Sequence, residues 1–302
     1  MRILATIILC ALSTCSLADW QGELDDSWLV RVSSSINTFG GTVAEYSEKG
    51  TNFISHTFTN VGATTFVATV SGQLFLLGAG GSCGENTDGG AGGGAGSGGF
   101  ICTNITVSGT TYVFVGEGAI APANYNGVGT NGANSVFGNL IAYGGARGGS
   151  ILAPNGGNGG NGGGAYGYPN ATPLPGVGTN GQGYRGGSNI SDDATYTCAG
   201  AGGGCGGIGS NAVSTHGGDG GPGVTNSFAT GVPIGYGGGG SGGGSGTGKL
   251  GGTAKDGGGD GGGNAIAGSD GTANRGGGGG GGGATRGGSG GSGVAIFRYV
   301  KP

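Results

Sequence analysis

The chain has 302 residues, 89 of them glycine and only 8 proline, with 9% charged residues and a formal net charge of −4. That weakly acidic balance supplies no electrostatic footprint for nucleic acid or for an anionic membrane surface. A hydrophobic content of 34% is too high for the usual composition of disorder, and glycine without a strict triplet excludes collagen.

In chain order, MRILATIILCALSTCSLADW pairs a basic start with an apolar run and then Ser16-Leu17-Ala18, a small-x-small cleavage site. It reads as a secretory signal peptide over 1–18, and the expected location is secreted, extracellular. No later segment is long and apolar enough to span a bilayer. Residues 19–50 form an N-terminal extension or extra strand, with Trp20, Trp28 and the run WLVRV at 28–32. A β-rich stretch follows over 51–143. Its strands are expected at 53–59, 66–70, 73–79, 100–107, 111–115 and 139–143, separated by turns at Ser71-Gly72 and at 108–110. The pattern suggests antiparallel pairing, and no segment after the signal has a helical period. The last strand, 294–300, alternates Val294, Ile296 and Val300 with Ala295, Phe297 and Tyr299, a pattern for burial on both faces.

From about 144 to 293 glycine dominates, and its spacing is ordered. Asn155, Asn158 and Asn161 recur every three residues, and GGDGGPG and GGSGGSG repeat that triplet. Polyproline II has three residues per turn, so a Gly-Gly-X triplet lines the side chains in one column and leaves two bare faces for close backbone approach.

Cys10 and Cys15 leave with the signal, and Cys83, Cys102, Cys198 and Cys205 remain. An even number in an oxidising compartment suggests disulfides. Pairing neighbours, Cys83 with Cys102 and Cys198 with Cys205, closes two short loops and is favoured among the three connectivities. A four-cysteine zinc site is the alternative, without close C-x-x-C pairs to support it. Asn104, Asn170 and Asn189 each begin an N-glycosylation sequon. On the strand at 101–107 the alternation turns Asn104 outward and Ile101, Ile105 and Val107 inward.

The order HTFT…TTFVATVSGQLFLLGAGGSCGENTDGGAGGGAGSGGF, ITVSGTTYVFVGEGA, NSVFGNLIAYGGARGG and GGGGGGGGATRGGSGGSGVAIFRY, across residues 53–300, resembles the glycine-rich domain family. That family occurs in tailed-phage fibre adhesins, in secreted microbial proteins and in the anaplastic lymphoma kinase and leukocyte tyrosine kinase receptors. The resemblance implies an all-β fold: an antiparallel β-sandwich continuing into a bundle of glycine-rich polyproline-II helices. It makes 51–302 one glycine-rich domain, in which the eight glycines at 276–283 form a bundle helix and 294–300 closes the sheet.

Other motifs arise from composition alone. Ser241 and Ser289 sit in G-x-S-x-G, but neither has the strand-to-helix elbow of a serine hydrolase. Gly243 to Lys249 approaches a phosphate-binding loop but has Leu250 where a serine or threonine would hold magnesium. Arg147, Arg185, Arg275 and Arg286 each precede Gly-Gly and are expected to cap exposed carbonyls rather than bind RNA. Asp256, Asp260 and Asn264 recur every four residues, a solvated acidic loop by default, with a calcium site as the alternative to which the three side chains would supply some of the six to eight ligands.

No catalytic residues, cofactor or metal are expected. The leading reading is a non-enzymatic structural or adhesive extracellular protein, a filament or surface-coat subunit, binding itself, a cell surface or glycans. The alternative is a monomeric ligand- or receptor-binding module. Ice binding, which wants a flat regular array of short side chains, is a further reading that rests on the asparagine column.

Overall fold

The computed structural model describes residues 39–85, 89–123, 127–169, 172–191 and 197–302. The segment read as a signal peptide, Trp20, Trp28 and the run at 28–32 lie outside them. The described residues contain strands and extended segments, and no helix long and apolar enough to cross a membrane.

The main sheet has seven antiparallel strands in the order β1-β2-β12-β3-β4-β5-β6. They are β1 (Thr42–Glu48), β2 (Thr51–Phe58), β3 (Gly62–Leu77), β4 (Phe100–Val115), β5 (Ser135–Phe137), β6 (Leu140–Ala142) and, from the chain end, β12 (Val294–Val300). Two short sheets complete the set: β7 (Ile190–Ser191), β8 (Thr197–Cys198) and β11 (Gly244–Ser245) make one, β9 (Val224–Asn226) and β10 (Ile234–Tyr236) the other. β1 belongs to the main sheet, so the boundary drawn at residue 50 cuts a hairpin. Lys49 and Gly50, with φ of 50° and 79°, turn that hairpin in the left-handed conformation that matches strand twist.

The expected turns at 71–72 and 108–110 are not turns. β3 and β4 run through both places, with Gly72 opposite Ile105 and Thr69 opposite Ser108. Instead the long pair bends. Phe297 is the direct partner of Leu74, yet its ring lies 5.3 Å from that of Phe66, eight residues earlier in β3. A straight strand would separate positions 66 and 74 by about 27 Å. The two layers are therefore two halves of one bent sheet. Gly72 sits at the bend because a Cβ there would meet the Phe297 ring at 2.6 Å.

The space between the layers is filled by Phe58, Phe66, Leu74, Leu76, Val113, Phe137, Ala295 and Phe297. The opposite face of β12 and β3 buries Phe75, Leu77, Val294 and Ile296 beneath Phe228 and Tyr236 from the β9–β10 region. β12 is thus buried on both faces as its alternation predicts, except that Val300 is exposed.

Beyond the sheet the chain shuttles out and back as extended glycine segments. The segment Gly90–Gly99 shows the order. N–H groups at 92, 95 and 98 donate to the carbonyls of 282, 279 and 276; those at 93, 96 and 99 donate to 149, 146 and 143; and those at 91, 94 and 97 donate to 167, 200 and 203. Each direction recurs every third residue, the period of a polyproline-II turn. The carbonyls of 96, 94 and 95 accept from Gly81, Gly164 and Gly240, which completes a ring of neighbouring segments.

The octaglycine run Gly276–Gly283 is packed in the same way and wholly buried. Its neighbours by hydrogen bond include 92–98, 259–262, 288–291 and 238–241. A Cβ on any of the eight would overlap the backbone of an adjoining segment. Glycine here is the condition for backbone contact, and each buried amide that finds a carbonyl avoids a penalty of about 1–3 kcal/mol. That saving offsets the large entropy of ordering glycine.

Candidate functional site

The segments begin at the sheet and turn back at a common far end. Near the sheet, Gly78 donates to Gly99, Gly98 to Gly276 and Gly293 to Gly116. At the far end the turns are tied together one to the next. Val213 and His216 close a turn, Leu250 donates to Thr215 at 3.0 Å, Asn264 to Lys249 at 3.3 Å, Ala265 to Gly283 at 2.7 Å and Ala284 to Gly90 at 3.1 Å. Ala91 pairs with Gly167, Tyr166 donates to Pro154, and Ser150 and Ala153 exchange hydrogen bonds around Ile151 and Leu152. Ala265 and Ala284 adopt φ of 58° and 56°, tight reversals held in a conformation that costs a non-glycine residue about 1 kcal/mol.

These turns carry large apolar side chains out of a glycine background. Leu152, Tyr168, Val213, Leu250 and Ile266 are exposed by 68%, 42%, 43%, 64% and 61%. Sequence reasoning does not single them out, although each interrupts the glycine triplets beside a turn-forming residue. Together they make the far end of the bundle the candidate site, a surface of anchored loops on a rigid support.

The cysteines are corrected by the structure, which joins none of Cys83, Cys102, Cys198 and Cys205 in a disulfide. Phe100 is the direct partner of Leu77, so Cys102 lies two residues inside the sheet and Cys83 six residues out along the bundle. At about 3 Å per residue their Cα atoms are on the order of 25 Å apart, against a limit near 7 Å for a disulfide. Cys198 and Cys205 end one extended segment whose residues 200 and 203 accept from 94 and 97, so the ends cannot meet. Cys83 donates to the carbonyls of Gly93 and Gly279, and Cys205 to that of Gly98, each at 3.0 Å. Burial pushes both thiols up to about 12. Cys102 is exposed on β4, and partial burial of its thiol raises that group too.

The zinc alternative and the calcium loop find no support in position: among the described residues no three His, Cys, Asp or Glu side chains gather at a metal-holding distance. Asp256, Asp260 and Asn264 instead accept the backbone N–H of Gly223 at 2.9 Å, Ala254 at 2.7 Å and Gly246 at 3.1 Å. The asparagine column is used likewise. Asn155, Asn158 and Asn161 accept from Leu174, Val177 and Tyr184 at 2.8, 2.8 and 2.7 Å, and Asn161 is fully buried. The triplet side chains thus staple outer segments by accepting their N–H groups, with Asn155 and Asn158 exposed and Asn161 buried. Ser241 and Ser289 accept from Gly220 and Ala121, and Lys249 reaches the Ser214 carbonyl. Arg147, Arg185 and Arg286 do cap carbonyls, those of Ala153 and Asn155, of Gly186 and of Gly287.

Of the sequons, Asn104 is exposed on β4, at the rim of an open groove of about 590 Å³ that Phe53, Gln73 and Val300 also line. Asn189 is half-buried beside β7, and Asn170 lies outside the described residues.

The family model of the glycine-rich domain matches residues 57–300. The chain belongs to the glycine-rich domain family. The glycine-rich domain match begins inside β2, so β1 and the start of β2 precede it while pairing with its sheet. A search of curated proteins finds no match to the chain.

Proposed function

We propose that this glycine-rich domain protein is a secreted, non-enzymatic structural or adhesive protein of an extracellular surface, which binds a cell-surface or glycan partner through the loop end of its bundle. The observation that carries this reading is the set of exposed apolar residues on anchored turns at one end of a backbone-bonded bundle. Apolar anchors surrounded by polar loops are the usual composition of a recognition surface. A support held by backbone hydrogen bonds would let the loops vary while their positions stay set, which lowers the ordering cost of binding.

The test is adhesion of labelled protein to cells and to an array of extracellular glycans, with Leu152→Ser, Tyr168→Ser and Leu250→Ser combined. The reading expects at least tenfold weaker binding with an unchanged melting temperature. Binding that survives the triple substitution, or no binding to any surface, contradicts it.

A further inference from the structure

His56 lies in β2 with its imidazole fully buried. Nδ1 is 2.7 Å from the carbonyl oxygen of Gly40. A carbonyl only accepts, so Nδ1 carries the proton and Nε2 is a bare acceptor. Nε2 is buried without a hydrogen-bond partner among the described residues. The ring sits between Phe66 and Tyr299, at centroid distances of 4.9 and 6.1 Å.

Gly40 belongs to a tight corner that only glycine fits. Gly40 and Gly41 have φ of 118° and 70°, and they carry the chain from the Phe39–Val67 bridge into β1. A Cβ on Gly40 would lie 2.6 Å from the Thr65 carbonyl oxygen, so the corner is pressed onto β3. The His56 hydrogen bond fastens that corner to the core.

Among the described residues no charged group compensates a proton here. The core residues that β2, β3, β4, β5, β6 and β12 turn to this cluster are apolar, apart from the phenol of Tyr299. β1 turns Glu45 to the same face, but Glu45 is exposed and held by Lys301 at 2.6 Å. Glu48 and Arg298 pair on the opposite face.

We propose that His56 is an acid-operated latch: uncharged, it holds the Gly40 corner and the edge strand β1 closed, and protonation of Nε2 releases them. The added proton places a positive charge and a donor without an acceptor between two aromatic rings. The ring gains water only by leaving the core, which breaks its bond to Gly40 and frees the corner. Burial holds the imidazole below its usual value of 6.5, the Gly40 bond opposing in part. A base depressed in the closed state contributes stability that is complete above the free value. That stability is lost as pH falls below about 6.5, and the loss levels off beneath the closed-state value. One proton taken up on opening raises the opening constant by at most about tenfold per pH unit.

The experiment measures amide exchange of β1, corrected for intrinsic rates, between pH 7.5 and 5.0. Wild type and His56→Asn are compared; Asn keeps a donor for Gly40 and removes the titration. The latch predicts that β1 opening rises steeply below pH 6.5 in wild type only, while Gly276–Gly283 stays protected in both. A flat wild-type profile, or the same slope in His56→Asn, overturns it. Should His56→Asn not fold, the ring resonances of wild-type His56 decide. The latch requires the folded protein to hold the ring neutral at pH 6.5, and a native His56 half-protonated at or above that value refutes it.

Discussion

Gly280 shows how much the bundle asks of a single residue. Its N–H donates to Ser269 at 2.9 Å, its carbonyl accepts from Gly288 at 2.8 Å, and a Cβ would overlap the Asp260 carbonyl. None of these neighbours is a flexible side chain, so a methyl group must push backbone aside. Gly280→Ala is expected to destabilise by about 1–3 kcal/mol, as overpacking does. Gly263, also buried, is the contrast: its nearest obstacle to a Cβ is the Lys249 carbonyl at 3.1 Å, and the next atom lies 3.5 Å away. Alanine there also narrows the unfolded ensemble, so Gly263→Ala should stay within about 1 kcal/mol of wild type. Denaturant unfolding of the two variants checks the pair, and equal losses would mean that backbone contact is not what selects glycine. The cysteines divide in the same local terms. With Cys83, Cys198 and Cys205 buried and Cys102 exposed, a thiol reagent should label Cys102 in the native protein and the other three only after unfolding. Reductant should leave the melting temperature unchanged.

Among the elements, the link between sheet and bundle runs through Arg298 of β12. Its guanidinium donates to Gln73 at 2.8 Å, to Glu48 at 2.5 Å and to Tyr46 at 3.1 Å, and lies 3.8 Å from the Phe228 ring centroid. Ser227 holds the other Glu48 oxygen at 2.8 Å, and Tyr46 and Ser55 donate to the carbonyls of Phe228 and Ala229. The connection between β9 and β10 is thereby docked on the sheet. Arg298→Leu leaves Glu48 without its cation and should cost about 3 kcal/mol. The hydrogen bond from Ser227, and then that from Arg298, hold the Glu48 carboxyl below its usual range. A depressed acid contributes stability that is present above its unfolded value of 4.5 and lost as pH falls through the folded one. Wild type should therefore show an acid limb below about pH 4.5 that is shallower in Glu48→Gln, and identical limbs would remove Glu48 from the account.

These elements are unequally legible in the sequence. Period two makes β12 readable as a strand buried on both faces, because Val, Ile and Phe alternate without interruption. β1 is legible only as an unplaced extra strand within 19–50, because its side chains, TVAEYSE, are those of an exposed edge with little apolar contrast. Ser71-Gly72 reads as a turn because glycine at a bend and glycine in a turn look alike until the partner strand is known. The asparagine column is visible as a period of three, but its purpose depends on which segments lie beside it, and spacing carries no such information. The cysteine pairing fails for a related reason: short separation along the chain implies proximity only where the chain is compact, and here it is extended.

For the whole molecule, strand order and bundle packing specify each other, because long departures from the main sheet enter the bundle and return. Leu77 leaves β3 and Phe100, its direct partner, re-enters as β4 after the chain has run out to Glu85 and back along Gly90–Gly99. β12 closes only if the run Gly287–Gly293 has returned along the octaglycine segment, whose Gly277 and Gly280 carbonyls accept from Gly291 and Gly288. The fold therefore requires these glycines to be an ordered, hydrogen-bonded interior. Amide hydrogen exchange across Gly276–Gly283 tests that claim most directly. The structure predicts protection at Gly278, Gly279, Gly280, Gly281 and Gly283, whose N–H groups donate to carbonyls of adjoining segments, comparable with that of β12. Exchange of these amides at the rate of an unstructured glycine chain, in a protein whose sheet remains protected, would contradict it.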